Sequence, residues 1–285
     1  MPLPGPTDLA RWATAARRHE TPCGAGRLVW RSWGGGRPVV LLHGGHGSWN
    51  HWLRNLEALT AAGHAVWAPD LPGMGESDLP NADGGPWTPQ QVADILASGL
   101  ATLIPAGQFD LAGFSFGGMI AGHLADRHPG RVRQLVLVGA AAMGMTSEAG
   151  IRMRNWRKAG SDTERLAMHR HNLLEHMLPD PAMVDDFAVA MQAANVEADR
   201  LRHREPSRGD NLFHALKTVR CPVHALWGVD DALYRANRHA LDAALRAVGA
   251  TSILFVGNCG HWVQYQKADW FNRVLLELLG PDAAG

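Results

Sequence analysis

The chain has 285 residues, enough for one large or two small domains and a core several layers thick. Its 27 basic residues balance 27 acidic ones, leaving no basic excess of the kind nucleic-acid binding calls for, and 46% hydrophobic with 19% charged residues suits a soluble globular fold. No apolar run reaches the roughly 18 residues of a membrane span, and residues 1–20 lack the apolar stretch of a secretory signal. Cys23, Cys221 and Cys259 are too few and too scattered for a disulfide framework or a CxxC site, so a reducing cytoplasm is the expected setting.

Short β-rich runs alternate with longer helical patterns, as in a sheet layered between helices. RLVWRSW (27–33) alternates as an early strand, RPVVLLHGG (37–45) is a fully apolar strand ending in His-Gly-Gly, and HAVWAPDLPG (64–73) is a third that runs into a turn. Residues 88–104 open with a threonine cap and a proline at the first helical position, then place apolar residues at helical spacing. FDLAGFS (109–115), RVRQLVLVGAAA (131–142), CPVHALWGVDD (221–231) and TSILFVGNCGH (251–261) complete the strands, with helices over 234–247 and 265–279. Several strands are apolar on both faces, as the centre of a mostly parallel sheet requires. Residues 143–208 break the rhythm, being helical, rich in Met, His and Arg, and without a strand. The expected organisation is therefore a core of 1–142 and 209–285 with 143–208 inserted as a helical cap.

Gly113-Phe114-Ser115-Phe116-Gly117 fits G-x-S-x-G between an apolar strand and a helix. A serine there sits on a tight strand-to-helix turn that only flanking glycines permit, with its hydroxyl pushed out at the C-terminal edge of the sheet. A hydroxyl is a weak nucleophile and needs a base, which in turn needs an orienting acid. WGVDD ends one later strand and GNCGH the next, so Asp231, with Asp230 in reserve, and His261 reach the same edge as Ser115 in the order Ser, acid, His. The backbone N–H groups of Gly45, in LLHGGHG, and of Phe116 are the expected oxyanion donors. His43 is expected to brace that loop, while His46 either lines the pocket or faces solvent.

These motifs, with DLPGMGESD (70–78) and CGHW (259–262), resemble the α/β-hydrolase family over all but the insertion. The resemblance implies an α/β-hydrolase fold, a mostly parallel sheet flanked by helices with an inserted cap. GSWNHWLRN (47–55) and CGHWVQYQKADWFNRVLLELL (259–279) are similar to the carbon–carbon bond hydrolases that cleave aromatic ring-fission products. That group carries an asparagine before the nucleophile, where this chain has Phe114, and another polar asparagine where His51 aligns. Its cap arginine, which grips the substrate carboxylate, falls on Met191; Arg200, Arg202 or Arg204 could substitute. Losing a bidentate guanidinium removes a charge-assisted contact. On that ground the sequence favours a serine hydrolase cleaving a carboxylic ester through an acyl-enzyme. The alternatives are a carbon–carbon hydrolase of meta-cleavage products (2-hydroxy-6-oxo-dienoates), lactonase, amidase or acyltransferase chemistry and, from another class, a ligand receptor on a hydrolase scaffold.

Phe114, Met119, His51, Trp262 and Met191 are the expected substrate-facing positions, and the partner is a small apolar or aromatic molecule, with no nucleic acid and no membrane. Homo-oligomerisation is left open, and no cofactor is implied. Trp49 and Trp52 are spaced for core packing. His169, His171 and His176 do not share a helix face and no H-E-x-x-H occurs, so no metal is expected. RMRNWRK (152–158) reads as a solvated cap face and Asp70 as a structural loop residue.

Overall fold

Successive strand residues point to opposite faces of a sheet, and in this chain both faces are apolar. Val39 and Leu41 pack with Ala112, Val136 and Val138 on one side, while Val40 and Leu42 pack with Leu111, Leu135 and Leu137 on the other. A computed structural model describes residues 2–81, 87–145, 150–202 and 208–280. Its eight strands are β1 (Arg17–Cys23), β2 (Gly26–Trp33), β3 (Arg37–Leu42), β4 (His64–Pro69), β5 (Phe109–Phe114), β6 (Val132–Val138), β7 (Val223–Gly228) and β8 (Ser252–Val256). They form one sheet in the order β1-β2-β4-β3-β5-β6-β7-β8. β2 is antiparallel to both β1 and β4, and every later junction is parallel. Leu42 pairs with Gly113, Gly113 with Leu137 and Val138 with Leu226, so the central strands end level with one another. That common edge is where the loops carrying the candidate site emerge.

The strands expected from 27 onward are all present; β1 is an addition. Its Arg17, Arg18 and Glu20 face solvent at the sheet edge, so it lacks the apolar alternation that marks the others. An N-terminal helix α1 (Pro6–Ala15), unforeseen and with no fully buried residue, precedes it. The helices α2 (Leu56–Ala61), α3 (Pro89–Leu103) and α4 (Phe116–Arg127) follow. The first turn of α3 is fixed by a capping box: Gln91 N–H donates to Thr88 Oγ1 (3.2 Å) and Thr88 N–H to Gln91 Oε1 (2.8 Å).

Between β6 and β7 the described residues include α5 (Asp162–His176) and α6 (Asp186–Ala198) but no strand. Leu173, Met177, Val189 and Met191 of this segment join the same apolar cluster as Val39, Phe114 and Trp262. α7 (Asn211–Leu216) returns to the sheet layer, with Leu212 against Gly122 of α4, where a Cβ would lie 2.2 Å from Leu212 Cδ1. The chain closes with α8 (Arg238–Ala247), α9 (Val263–Gln266) and α10 (Ala268–Leu279). At the start of β5, buried Asp110 is held by Arg37 (3.0 Å) and Arg133 (2.7 Å), and Arg37 also donates to the carbonyls of Leu279 and Gly280. Among the described residues no helix is long and apolar enough to cross a membrane.

Candidate active site

β5 delivers the chain to Ser115 and α4 carries it away at once, so one residue must make the whole turn. Ser115 has φ 52° and ψ −116°, a conformation that side chains rarely adopt. Gly113 and Gly117 make the turn possible. A Cβ on Gly113 would lie 2.5 Å from the Gly117 carbonyl oxygen, and one on Gly117 would lie 2.4 Å from that of His43. The strained residue is tied at both backbone atoms. Its N–H donates to Val138 (2.8 Å), and its carbonyl accepts from Gly118 (2.9 Å), Met119 (3.2 Å) and Ala141 (3.1 Å).

The loops after β7 and β8 bring the expected partners. His261 Nε2 is 2.8 Å from Ser115 Oγ, and His261 Nδ1 is 2.8 Å from Asp231 Oδ2. Leu233 N–H donates to the other carboxylate oxygen of Asp231 (2.9 Å). Both Asp231 and His261 are fully buried. Asp231, rather than the reserve Asp230, faces the imidazole; Asp230 uses its N–H to hold the Cys259 carbonyl (2.9 Å). The carboxylate favours a proton on Nδ1, which leaves Nε2 free to accept the serine proton. Gly139, at φ 51°, makes room for the ring, since a Cβ there would lie 3.1 Å from His261 Nδ1. Under the two loops, a Cβ on Gly228 would lie 2.1 Å from the Gly260 and 2.2 Å from the Cys259 carbonyl oxygen.

The loop after β3 supplies backbone amides to the same edge. His43 Nε2 accepts from Leu71 N–H (2.8 Å), so its Nδ1 carries the proton and donates to the Gly44 carbonyl (2.7 Å). The Gly45 N–H has no hydrogen-bond partner among the described residues. Phe116 begins α4, where the first amides point out of the helix end. His46, at φ 53°, both lines the cavity and pairs through Nδ1 with Asp199. Asp70 braces the neighbouring turns by accepting from Arg31 (3.1 Å), Trp49 N–H (3.0 Å) and Glu76 N–H (3.0 Å).

Ser115, Phe114, Phe116 and Gly45 border a cavity of about 910 Å³. Of the five expected substrate-facing positions only Phe114 reaches its wall. Met119 points from α4 into the core. Met191 is buried against the second cluster, and the next residue, Gln192, faces the cavity in its place. Trp262 stacks on Tyr265 (4.3 Å between centroids) and donates through Nε1 to the His51 carbonyl (3.1 Å). His51 stands one layer back, between Gly44 and Gln192. Burial, helped by the nearby His43, pushes its pKa down to about 3, so it is neutral.

Of the other wall residues, Arg200 and Arg202 are two of the three arginines the sequence offered in place of the cap arginine, whereas the rest were not expected to face substrate. His176 lies against His261, with centroids 5.3 Å apart and planes at 33°, and burial pushes it down to about 4. Arg154, Arg157, Arg200, Arg202 and Arg208 also reach the wall. Arg154 and Arg157 are exposed as expected of RMRNWRK, yet that exposed side is the cavity. Arg204 lies outside the described residues. His169 bonds Glu197 (3.0 Å) and His171 the Arg152 carbonyl (2.7 Å), so His169 and His176 border the cavity with separate partners while His171 does not reach it. Among the described residues no group of three or more His, Cys, Asp or Glu is placed to hold a metal ion.

A level strand edge, a serine elbow and a histidine between serine and aspartate define a hydrolase of the α/β class, and the chain belongs to the α/β hydrolase family, which it matches over residues 39–274. Among its relatives is the 2-hydroxy-6-oxononadienedioate/2-hydroxy-6-oxononatrienedioate hydrolase of Burkholderia vietnamiensis, 31% identical over 86% of this chain and 88% of the relative. Solved structures of the same fold include a meta-cleavage product hydrolase from Pseudomonas fluorescens IP01 (TM-score 0.72, 24% identity, 92% of this chain and 97% of that one). A thermophilic esterase from Thermogutta terrifontis is similar too (TM-score 0.70, 23% identity, 93% and 98%).

Proposed function

We propose that this chain hydrolyses a carbon–carbon bond beside a ketone in a 2-hydroxy-6-oxo-dienoate, with Ser115 as nucleophile, His261 as base and then acid, and Asp231 as the orienting carboxylate. The cavity carries the reading: a serine already bonded to a histidine–aspartate pair opens into a chamber lined in part by arginines, the residue type suited to a substrate carboxylate. The name of the Burkholderia relative supports it. The ester preference drawn from the sequence rested on Met191 replacing a cap arginine; Met191 faces the core, and arginines enter from other segments. Residues 143–208 act as the cap over a core of 1–142 and 209–285. Free Cys23, Cys221 and Cys259 suit a reducing cytoplasm.

Ser115 and His261 first assist ketonisation of the dienol. In the diketo tautomer C5 lies between the C6 ketone and an alkene conjugated to the C2 carbonyl, so it can leave as a stabilised carbanion. Oγ adds to C6 while its proton passes to His261 Nε2, and the Gly45 and Phe116 N–H groups receive the oxyanion. A donor of this kind contributes about 10²–10³ in rate. The C5–C6 bond then breaks, its electron pair delocalises onto the C2 carbonyl, and His261 returns the proton to the departing dienol. Water, deprotonated by His261, releases the acyl group from Ser115 as a carboxylic acid.

Ester hydrolysis is the second reading, favoured by one observation: α6 contains no arginine. The test is kcat/KM for a 2-hydroxy-6-oxo-dienoate and a short-chain aryl ester on one preparation. The dienoate is expected to lead by about 100-fold, near 2.7 kcal/mol in transition-state stabilisation. An equal lead for the ester reverses the order of the two readings. Ser115→Ala and His261→Ala are each expected to lose most turnover while staying folded, and near-normal activity in either overturns the assignment.

A further inference from the structure

LLHGGHG has glycines at 44, 45 and 47, and glycine gives a loop little stiffness of its own. An oxyanion donor on such a loop needs restraint from outside, and three contacts supply it around one peptide group. His43 Nδ1–H holds the Gly44 carbonyl (2.7 Å), and the Gly45 N–H, in the same planar peptide, therefore points the opposite way. Gly44 N–H donates to His51 Nδ1 (3.3 Å). The His46 carbonyl accepts from Gln192 Nε2 (3.3 Å). The free Gly45 amide is thus bracketed on both sides.

Two of these restraints meet in the cap. Because His51 Nδ1 accepts, its single proton is on Nε2, which donates to Gln192 Oε1 (3.0 Å). Both ends of the Gln192 amide are then committed, Oε1 to the ring and Nε2 to the loop. The ring cannot turn away. Trp262 and Phe114 lie 4.8 and 5.7 Å from it, and a Cβ on Gly47 would lie 2.3 Å from its Cε1.

We propose that Gln192 and His51 are positioning residues that hold the Gly44–His46 peptides in the orientation that presents the Gly45 N–H, so that the seating of α6 on the core controls oxyanion stabilisation. The proposal rests on reading Ser115 as the nucleophile and applies to ester and ketone alike.

The test uses the whole protein and the better of the two substrates. Gln192→Ala is expected to lower kcat by 10- to 100-fold, within what about 1 Å of misplacement costs, with KM changed less than threefold. A boronic acid, which mimics the tetrahedral adduct on Ser115, should lose affinity by the same factor. A variant with kcat within twofold of wild type, or one altered in KM alone, overturns the proposal, and circular dichroism checks that it is folded.

Gln192→Glu gives a readout that simple packing would not move. It keeps the acceptor for His51 Nε2–H but loses the donor to the His46 carbonyl, so kcat should recover only in part at high pH, to above that of Gln192→Ala. Its carboxylate also raises the proton affinity of the ring, against the opposing influence of His43, His46 and His261 and with Asp199 already paired to His46. A ring protonated at Nδ1 cannot accept from Gly44, so as pH is lowered kcat should fall along an acid limb displaced from that of wild type. A profile that superposes on wild type overturns the role of His51. Turnover in Ser115→Ala would instead remove the nucleophile reading beneath the proposal.

Discussion

Replacing Gly117 with alanine adds one methyl group to the first turn of α4, at a point where nothing can step aside. The new Cβ would lie 2.4 Å from the His43 carbonyl oxygen and 2.5 Å from that of Leu42, whereas ordinary contact begins at 3.4 Å. Both neighbours are backbone atoms, so no rotamer change relieves the overlap. α4 and the end of β3 must separate by about 1 Å (3.4 − 2.4). That shift falls on Ser115 and Phe116 on one side and on His43 to Gly45 on the other. Misplacement of this size costs roughly 10²-fold in rate, and overpacking costs about 1–3 kcal/mol in stability. The assay is kcat/KM together with the rate of covalent labelling by a fluorophosphonate, which reports Ser115 reactivity without a turnover cycle. Both should fall about 100-fold. Gly35→Ala, whose Cβ meets nothing within 4 Å, should leave both unchanged. A folded Gly117→Ala protein within threefold of wild type would refute the idea that the elbow needs this close approach.

Two further outcomes concern stability. Asp110→Ala leaves Arg37 and Arg133 without their buried carboxylate, which is expected to cost about 3–5 kcal/mol. Because Asp110 is the second residue of β5 and Ser115 follows its far end, the folded fraction should keep normal kcat; urea denaturation gives the first quantity and kinetics the second. His51 and His176 are held neutral in the folded protein, at about 3 and about 4, against an ordinary 6.5. Below 6.5 the unfolded chain binds protons that the folded protein refuses, so this stabilisation is full above 6.5 and is lost as pH falls toward 4 and then 3. Tm should therefore be lower at pH 4.5 than at pH 7.5, and His176→Phe should narrow the gap. A gap unchanged by that substitution would show that His176 is not held neutral.

The parts of the site legible in the sequence are those fixed by strand ends. Ser115, Asp231 and His261 each follow an apolar run, and a parallel sheet brings such ends to one edge whatever the intervening helices do. β1 escaped because its buried side is carried by Thr21 and Cys23 rather than by large apolar residues, and RRHETPC is polar almost throughout. Met191 and Gln192 show the limit for helices: one residue turns the side chain by about 100°, enough to exchange the core for the cavity. Trp262 was misplaced similarly, since it follows His261 and turns behind it toward His51. Arg154 and Arg157 look solvated because they are exposed; only the tertiary placement reveals that they border the candidate pocket.

At Gly228 the backbone leaving β7 passes so close to that leaving β8 that no side chain fits between them. The carriers of Asp231 and His261 are thereby locked together, main chain against main chain, before either loop departs. The carboxylate–imidazole pair behaves as a single exchangeable cartridge spanning 228–262. Loop grafts that split this span would have to rebuild the crossing as well as the residues, whereas substitutions at exposed positions of α8 such as His239, Ala243 and Arg246 are expected to leave the pair's alignment intact.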